Sequence, residues 1–142
     1  MDASFHHKPS HAPGGSDSWE KQSLTLGVEE EFHLVDLHSR RLTPRAVELL
    51  SQLAHCRGTF AAELQQTVIE TNSEVTSSLS ALRENLVQLR AELVRAARAL
   101  DVGIASAGTM PLSVPLAITE TPRFRRMLAD YQLLVREQLI CG

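Results

Sequence analysis

The segment from Thr76 to Asp101 constrains the fold most, because its apolar residues recur at alternating spacings of three and four. That spacing places them on one face of an α-helix. The apolar positions are Leu79, Leu82, Leu86, Leu89, Leu93, Ala96 and Leu100. Thr76, Ser77 or Ser78 can cap the helix, and Gly103 ends it. Small residues widen the apolar face, so the helix is predicted to pack on a sheet, although about three heptads could also pair with a partner helix.

The segment from Leu24 to Leu34 alternates with a period of two, which indicates a β-strand with two different faces. One parity is apolar, and the other carries Glu29, Glu31 and His33. Glu30 is the exception, since it falls on the apolar parity, where an edge position or a salt bridge must accommodate it. The strand is therefore predicted to face a core on one side and to carry carboxylates on the other.

Periodicity alone does not distinguish a strand from a helix over residues 60 to 73, because Glu63 and Glu70 lie seven residues apart, which is two helical turns. The β-branched cluster in this segment favours a strand, and it comprises Thr67, Val68, Ile69 and Thr71. Glu63 and Glu70 have opposite strand parity, so in one continuous strand they share a face only if a bulge lies between them.

Three further elements complete the predicted order. They are a helix from Thr43 and Pro44 to about Ala54, a short buried strand from Val102 to Thr109, and a last helix from Pro122 to Ile140. This mixture predicts one α+β domain over residues 21–142. Residues 1–20 contain no Val, Ile or Leu, so they are predicted to form a disordered N-terminal arm.

Composition excludes several classes of protein. The chain has 17 acidic and 14 basic residues, and this net charge of −3 gives no support for a nucleic-acid partner. No stretch approaches the roughly 20 consecutive apolar residues of a membrane helix. Cys56 and Cys141 lack the spacing of a zinc site, and we interpret both as reduced thiols of a cytoplasmic protein.

The four glutamates on the two predicted acidic strands are the candidate site. Glu29, Glu31, Glu63 and Glu70 would repel one another if the strands faced the same side without compensation. Carboxylate oxygens suit Mg²⁺ or Mn²⁺, which bridge to phosphates, so the pattern indicates a nucleotide-dependent enzyme. The same glutamates also fit the plain solvent side of an antiparallel sheet. His33 shares their parity and could be a ligand or an acid–base group, but a histidine at a sheet surface is more often simply exposed.

Three ordered blocks of sequence carry a resemblance to a known family. They are Thr25-Leu26-Gly27-Val28-Glu29-Glu30-Glu31-Phe32, then Glu63-Leu64-Gln65-Gln66-Thr67-Val68-Ile69-Glu70-Thr71-Asn72, and then Ala107-Gly108-Thr109-x-Pro111. Together they resemble the ATP-dependent carboxylate–amine ligases of the glutamate-cysteine ligase type 2 family. The resemblance runs from about Leu24 to Gly142.

The resemblance implies part of a catalytic domain like that of glutamine synthetase, in which an antiparallel sheet with helices packed on one face lines a funnel for ATP and divalent cations. It implies that ATP phosphorylates a substrate carboxylate and that an amine then displaces the phosphate to form an amide. Glutamate and cysteine are the substrates expected at family level. Glu29, Glu63 and Glu70 become expected Mg²⁺ or Mn²⁺ ligands, with Glu31 a ligand or a support for one.

Two departures from the family pattern shape the expectation. Met110 stands where many members have a histidine, and members continue past Gly142 with further cation, nucleotide and substrate groups. We therefore expect this chain to be the N-terminal part of such a domain and to be inactive alone. Assembly of the chain into a homo-oligomer is compatible with this expectation. The competing hypothesis is a pseudoenzyme fragment or a non-catalytic interaction module, in which residues 76–101 bind a partner.

Overall fold

A computed structural model describes residues 24–56, 59–108 and 117–137 of the chain. These residues form a four-stranded sheet with helices, which confirms the predicted α+β class. The strands are β1 (Glu29–Asp36), β2 (Phe60–Ala62), β3 (Val68–Asn72) and β4 (Val102–Ala105). Their spatial order is β2-β3-β1-β4, and every neighbouring pair is antiparallel. The helices are α1 (Ala46–Gln52), α2 (Leu79–Arg98), α3 (Pro122–Asp130) and α4 (Gln132–Glu137).

The alternation along β1 divides the sheet into two chemically different faces. Phe32 and Leu34 point into a hydrophobic core with Ile69 of β3. Leu49 of α1 and Leu93 of α2 belong to the same core, so both helices pack on this one face. Glu31 and His33 have the opposite parity and therefore lie on the other face. The prediction of helices on one face of an antiparallel sheet is confirmed.

Helix α2 is a core helix, as the sequence predicted. Its start is capped by Ser78, whose Oγ accepts a hydrogen bond from the Ala81 amide at 3.4 Å. The residues that it buries recur at helical spacing, and they are Leu82, Leu89, Leu93 and Ala97. Glu30 of β1 points toward this helix and forms a salt bridge with Arg90, with 2.9 Å between Nε and Oε2. The predicted salt bridge therefore explains how a glutamate occupies the apolar parity.

The prediction of one bulged strand over residues 60–73 was wrong, because the segment forms two paired strands. Ala61 of β2 lies opposite Glu70 of β3, and Phe60 lies opposite Thr71. The connection contains a turn in which the Val68 amide donates to the Gln65 carbonyl at 3.0 Å, and Leu64 and Gln66 also form backbone hydrogen bonds with residues 117–119. In the pairing of β2 with β3, each odd-numbered residue of one strand lies opposite an even-numbered residue of the other. The side chains of Glu63 and Glu70 therefore lie on the same face of the sheet without a bulge.

Two predicted helix boundaries were also wrong. Helix α1 begins at Ala46 rather than at Thr43, because the Thr43 amide donates to the Leu34 carbonyl at 3.0 Å and so extends the sheet. The last helix is divided by Tyr131, where φ is −132° and ψ is 49°. Phe124 of α3 and Val135 of α4 pack together in a second, smaller core.

Several predictions fall on residues outside the described ranges. These are the arm at residues 1–20, Thr109, Met110, the last residues of the helix predicted to reach Ile140, and Cys141; the side chain of Cys56 is outside them as well. The strand predicted from Val102 to Thr109 was too long, because β4 ends at Ala105 and the described residues 106–108 are not part of the sheet. Among the described helices, none combines the length and the hydrophobicity that a crossing of a membrane requires.

Candidate metal centre

Three carboxylates converge on the sheet face opposite to α1 and α2. Glu31 of β1 lies directly across from Glu70 of β3. Glu63 follows the last residue of β2 and joins them from the neighbouring hairpin. One carboxylate oxygen from each residue lies within 4.8 Å of the other two, and all three side chains are half-buried. This separation allows one small cation to contact all three residues.

Local hydrogen bonds hold two of these carboxylates in place. The Asn72 side-chain amide donates to Glu70 Oε1 at 2.7 Å. The Leu64 backbone amide donates to Glu63 Oε2 at 3.0 Å. Each bond occupies one carboxylate oxygen and so restricts the rotation of the group, as supporting contacts do at metal sites. Asn72 was not among the predicted site residues, although its parity, shared with Glu70, is a signal that could have identified it.

The electrostatics of the three residues favour a bound cation. Burial raises the pKa of Glu31, and the negative charges of Glu70 and Glu29 raise it further. Burial also raises the pKa of Glu63. The hydrogen bond from the Leu64 amide lowers this pKa in part, and the neighbouring Glu70 raises it further. A divalent cation would stabilise the ionised forms, and an all-oxygen donor set with partial solvent access is typical of Mg²⁺ and Mn²⁺ sites. The residues present therefore fit such an ion.

Glu29 lies apart from the other three predicted ligands. It is exposed and pairs with Asn72 at the beginning of β1, and its carboxylate is not part of the group within 4.8 Å. It shares the face of Glu31, whose pKa it raises. The structure thus brings together Glu31, Glu63 and Glu70 of the four predicted residues and places Glu29 at their border.

His33 is buried, so the expectation of an exposed histidine was wrong. Its side chain is 1% exposed, and neither ring nitrogen has a hydrogen-bond partner of normal geometry in the described part of the chain. Burial lowers the pKa of His33, an effect that the nearby Ala107 backbone partly offsets. His33 shares the face of Glu31 but is not part of the three-carboxylate group.

Comparison with known proteins identifies the family. The model of the family described as glutamate-cysteine ligase family 2 matches residues 25–142, which includes every strand and helix described above. The chain belongs to the glutamate-cysteine ligase family 2. The resemblance found in the three sequence blocks is confirmed.

Individual relatives within glutamate-cysteine ligase family 2 agree with this assignment. A Mycolicibacterium smegmatis protein with the name "Putative glutamate--cysteine ligase 2-2" is 50% identical over 135 residues, which cover 94% of this chain and 33% of that protein. A Rhodococcus jostii relative with the same kind of name is 54% identical over 119 residues, 82% of this chain and 15% of its own length. A Rhodopirellula baltica relative is 39% identical over 129 residues, 85% of this chain and 35% of its own. The chain spans about a third or less of the length of these relatives.

Proposed function

We propose that this chain supplies the metal-binding sheet of an ATP-dependent carboxylate–amine ligase. The observation that carries the proposal is the convergence of Glu31, Glu63 and Glu70 within 4.8 Å on one sheet face. Three neighbouring carboxylates destabilise a metal-free fold, so a role in cation binding accounts for their arrangement. The family match and the names of the relatives support a ligase.

Glu31, Glu63 and Glu70 would hold Mg²⁺ or Mn²⁺. When bound, such an ion neutralises negative charge on the phosphates of ATP. The chain's own residues prepare the site: Asn72 and the Leu64 amide fix two carboxylates, and Glu29 adds negative potential at the border. Because Glu31 and Glu70 lie on the paired strands β1 and β3 and Glu63 directly follows β2, the sheet fixes their spacing.

The reaction that we propose forms an amide in two stages. A substrate carboxylate attacks the terminal phosphorus of ATP and releases ADP, and an amine then attacks the acyl phosphate and releases phosphate. The names of the relatives favour glutamate as the acid and cysteine as the amine. The use of ATP places this reaction in the cytoplasm. No described residue is assigned to ATP or to either substrate, and we expect the 142-residue chain to be inactive alone.

The test is phosphate release by the complete gene product, offered ATP, glutamate and cysteine with and without Mg²⁺. Glu70→Gln should lower the metal-dependent rate by about 100-fold or more, since even residues that only support metal ligands contribute about 10- to 100-fold. The matched control is Glu74→Gln, an exposed glutamate just beyond the end of β3. Full metal-dependent activity in Glu70→Gln would refute the assignment of the site.

The competing interaction module is disfavoured by the packing of α2. Leu89, Leu93 and Ala97 belong to the main core, so the second half of the apolar face of residues 76–101 is already used in the fold. The phosphate-release assay also distinguishes a ligase from a pseudoenzyme fragment. A pseudoenzyme would release no phosphate, with or without Mg²⁺.

A further inference from the structure

The first half of α2 carries an open groove that the main core leaves uncovered. Its volume is about 380 Å³, and it is lined by Leu79, Leu82, Arg83, Leu86, Val87 and Arg90. The side chains of Leu79 and Val87 are 74% and 52% exposed. An apolar surface between two arginines is unfavourable in water and is typical of a surface that another segment covers.

The chain enters the fold beside the beginning of this helix. Leu26 and Thr76 exchange two backbone hydrogen bonds, of 2.6 and 2.9 Å, in an antiparallel bridge. Thr25 and Leu24, which precede Leu26, therefore run toward Ser78, the cap of α2. Trp19 is five residues before Leu24, a distance that an extended chain spans with about 17 Å. The groove from Leu79 to Arg90 is about 16 Å long at the helical rise, so Trp19 can reach any part of it.

The segment from Asp17 to Ser23 has the chemistry that the groove requires. It contains Trp19, the single tryptophan of the chain, between the carboxylates of Asp17 and Glu20, and Lys21 is its one cation, so the segment keeps a net negative charge. Within the described part of the chain Arg83 has no ion-pair partner. The first turn of α2 also contains no acidic residue, so the positive end of its helix dipole has no carboxylate from the helix itself.

We propose that residues 17–23 bind along the groove of α2, with Trp19 against Leu79, Leu86 and Val87 and with the two carboxylates facing Arg83 and the start of the helix. The segment is too poor in apolar residues to fold alone, and the groove supplies the surface that it lacks. The indole ring buries a large apolar area and stacks on arginine, which makes it a suitable anchor. This inference is independent of the proposed ligase activity.

The single tryptophan makes a direct test available, because all tryptophan emission of the 142-residue chain reports on residue 19. We expect emission at shorter wavelength and slower acrylamide quenching than in a free peptide of residues 13–23. Val87→Asp should lower the ratio of docked to free segment about tenfold, the change that about 1.4 kcal/mol produces, and should shift the emission to longer wavelength. Val47→Asp is the matched control, because Val47 is an exposed valine on a different helix. Circular dichroism of each variant checks that the fold is kept.

Electrostatics provide a second, independent variant. Arg83→Glu should weaken docking, and the combination of Arg83→Glu with Glu20→Arg should restore part of it. Emission of the wild-type chain equal to that of the free peptide would refute the proposal. A short-wavelength emission that Val87→Asp leaves unchanged would also refute it. A short-wavelength emission that disappears on dilution would refute it too, because that result would assign the groove to a second copy of the chain.

Discussion

Glu31 and Glu70 lie directly opposite each other on β1 and β3, on the sheet face away from α1 and α2. Like charges at directly opposed positions of an antiparallel pair destabilise a sheet. Glu63 adds a third carboxylate within 4.8 Å, so the repulsion is concentrated at one point. A fold that keeps such an arrangement gains from it only when a cation is bound, and this gives a direct prediction.

Mg²⁺ or Mn²⁺ should stabilise the chain through these three residues. At a free metal concentration 100-fold above Kd, binding to the folded state alone adds about 2.7 kcal/mol. Glu63→Gln should remove most of this stabilisation, whereas the exposed control Glu74→Gln should keep it. Thermal unfolding with and without the metal measures the effect, and an equal metal-induced rise of Tm in Glu63→Gln and the wild type would contradict the assignment.

Without metal, removal of a carboxylate should have the opposite effect on stability. The pKa of Glu31 is raised above its usual 4.5, so the folded chain binds this proton more tightly than the unfolded chain does. The metal-free fold therefore loses stability as the pH rises through and above 4.5. Glu31→Gln avoids that loss and should be more stable than the wild type by about 0.2 to 1 kcal/mol at pH 7, with solvent screening included.

The measurement is urea denaturation in a chelating buffer across the pH range. The difference between Glu31→Gln and the wild type should be near zero below pH 4.5 and should grow as the pH rises. A difference that shrinks on going to neutral pH would show that Glu31 is not destabilised by its neighbours.

The salt bridge between Glu30 and Arg90 should respond asymmetrically to its two substitutions. The Glu30 side chain is 18% exposed and the Arg90 side chain 52% exposed. Arg90→Met leaves a largely buried carboxylate without its partner and should cost about 1 to 3 kcal/mol. Glu30→Gln leaves a cation that water can solvate and should cost about 0.2 to 1 kcal/mol. If Arg90→Met and Glu30→Gln lower the free energy of unfolding equally, the greater burial of the Glu30 carboxylate does not determine the cost.

His33 should be replaceable by an apolar residue with a gain in stability. Its buried ring has no hydrogen-bond partner of normal geometry among the described residues, which costs about 1 to 3 kcal/mol. His33→Leu should therefore stabilise the fold. Because burial lowers the pKa of His33 below its usual 6.5, the wild type loses stability as the pH falls through 6.5, and His33→Leu should lose less there. Chemical denaturation at pH 5 and pH 8 compares the two, and a destabilised His33→Leu at pH 8 would contradict the prediction.

Local periodicity was sufficient for the elements whose packing follows their own sequence. The alternation along β1 predicted the correct buried face, and the helical spacing of α2 predicted the buried Leu82, Leu89 and Leu93. Leu79 was predicted on the same face of α2 but is 74% exposed, because the core does not extend to the first turn of the helix. Glu30 was recognised as an exception to the alternation of β1. The family followed from three short blocks: the first leads into β1, the second lies in the β2–β3 hairpin, and the third begins with Ala107 and Gly108 after β4.

Features that depend on distant contacts were not predictable in this way. Residues 63–67 contain neither Gly nor Pro, so nothing local indicates a turn. The chain reverses there in a turn in which the Val68 amide donates to the Gln65 carbonyl at 3.0 Å, and Leu64 and Gln66 also form backbone hydrogen bonds with residues 117–119. The burial of His33 depends on the tertiary fold rather than on its alternating strand. Glu29 was grouped with the other glutamates by parity and by the family resemblance, and the three-dimensional arrangement places it beside the group of Glu31, Glu63 and Glu70.

The run Glu29-Glu30-Glu31 has a consequence for the tolerance of this fold to small insertions and deletions. A deletion of one residue between Leu26 and Glu29 would still leave three glutamates, but a compensating slip of pairing would point Phe32 and Leu34 away from the helices. The hydrophobic residues of β1 thus determine which glutamate joins the three-carboxylate group and which pairs with Arg90. Glu29, Glu30 and Glu31 are chemically identical but have different surroundings, and the apolar residues that follow them in β1 keep each glutamate in its own position.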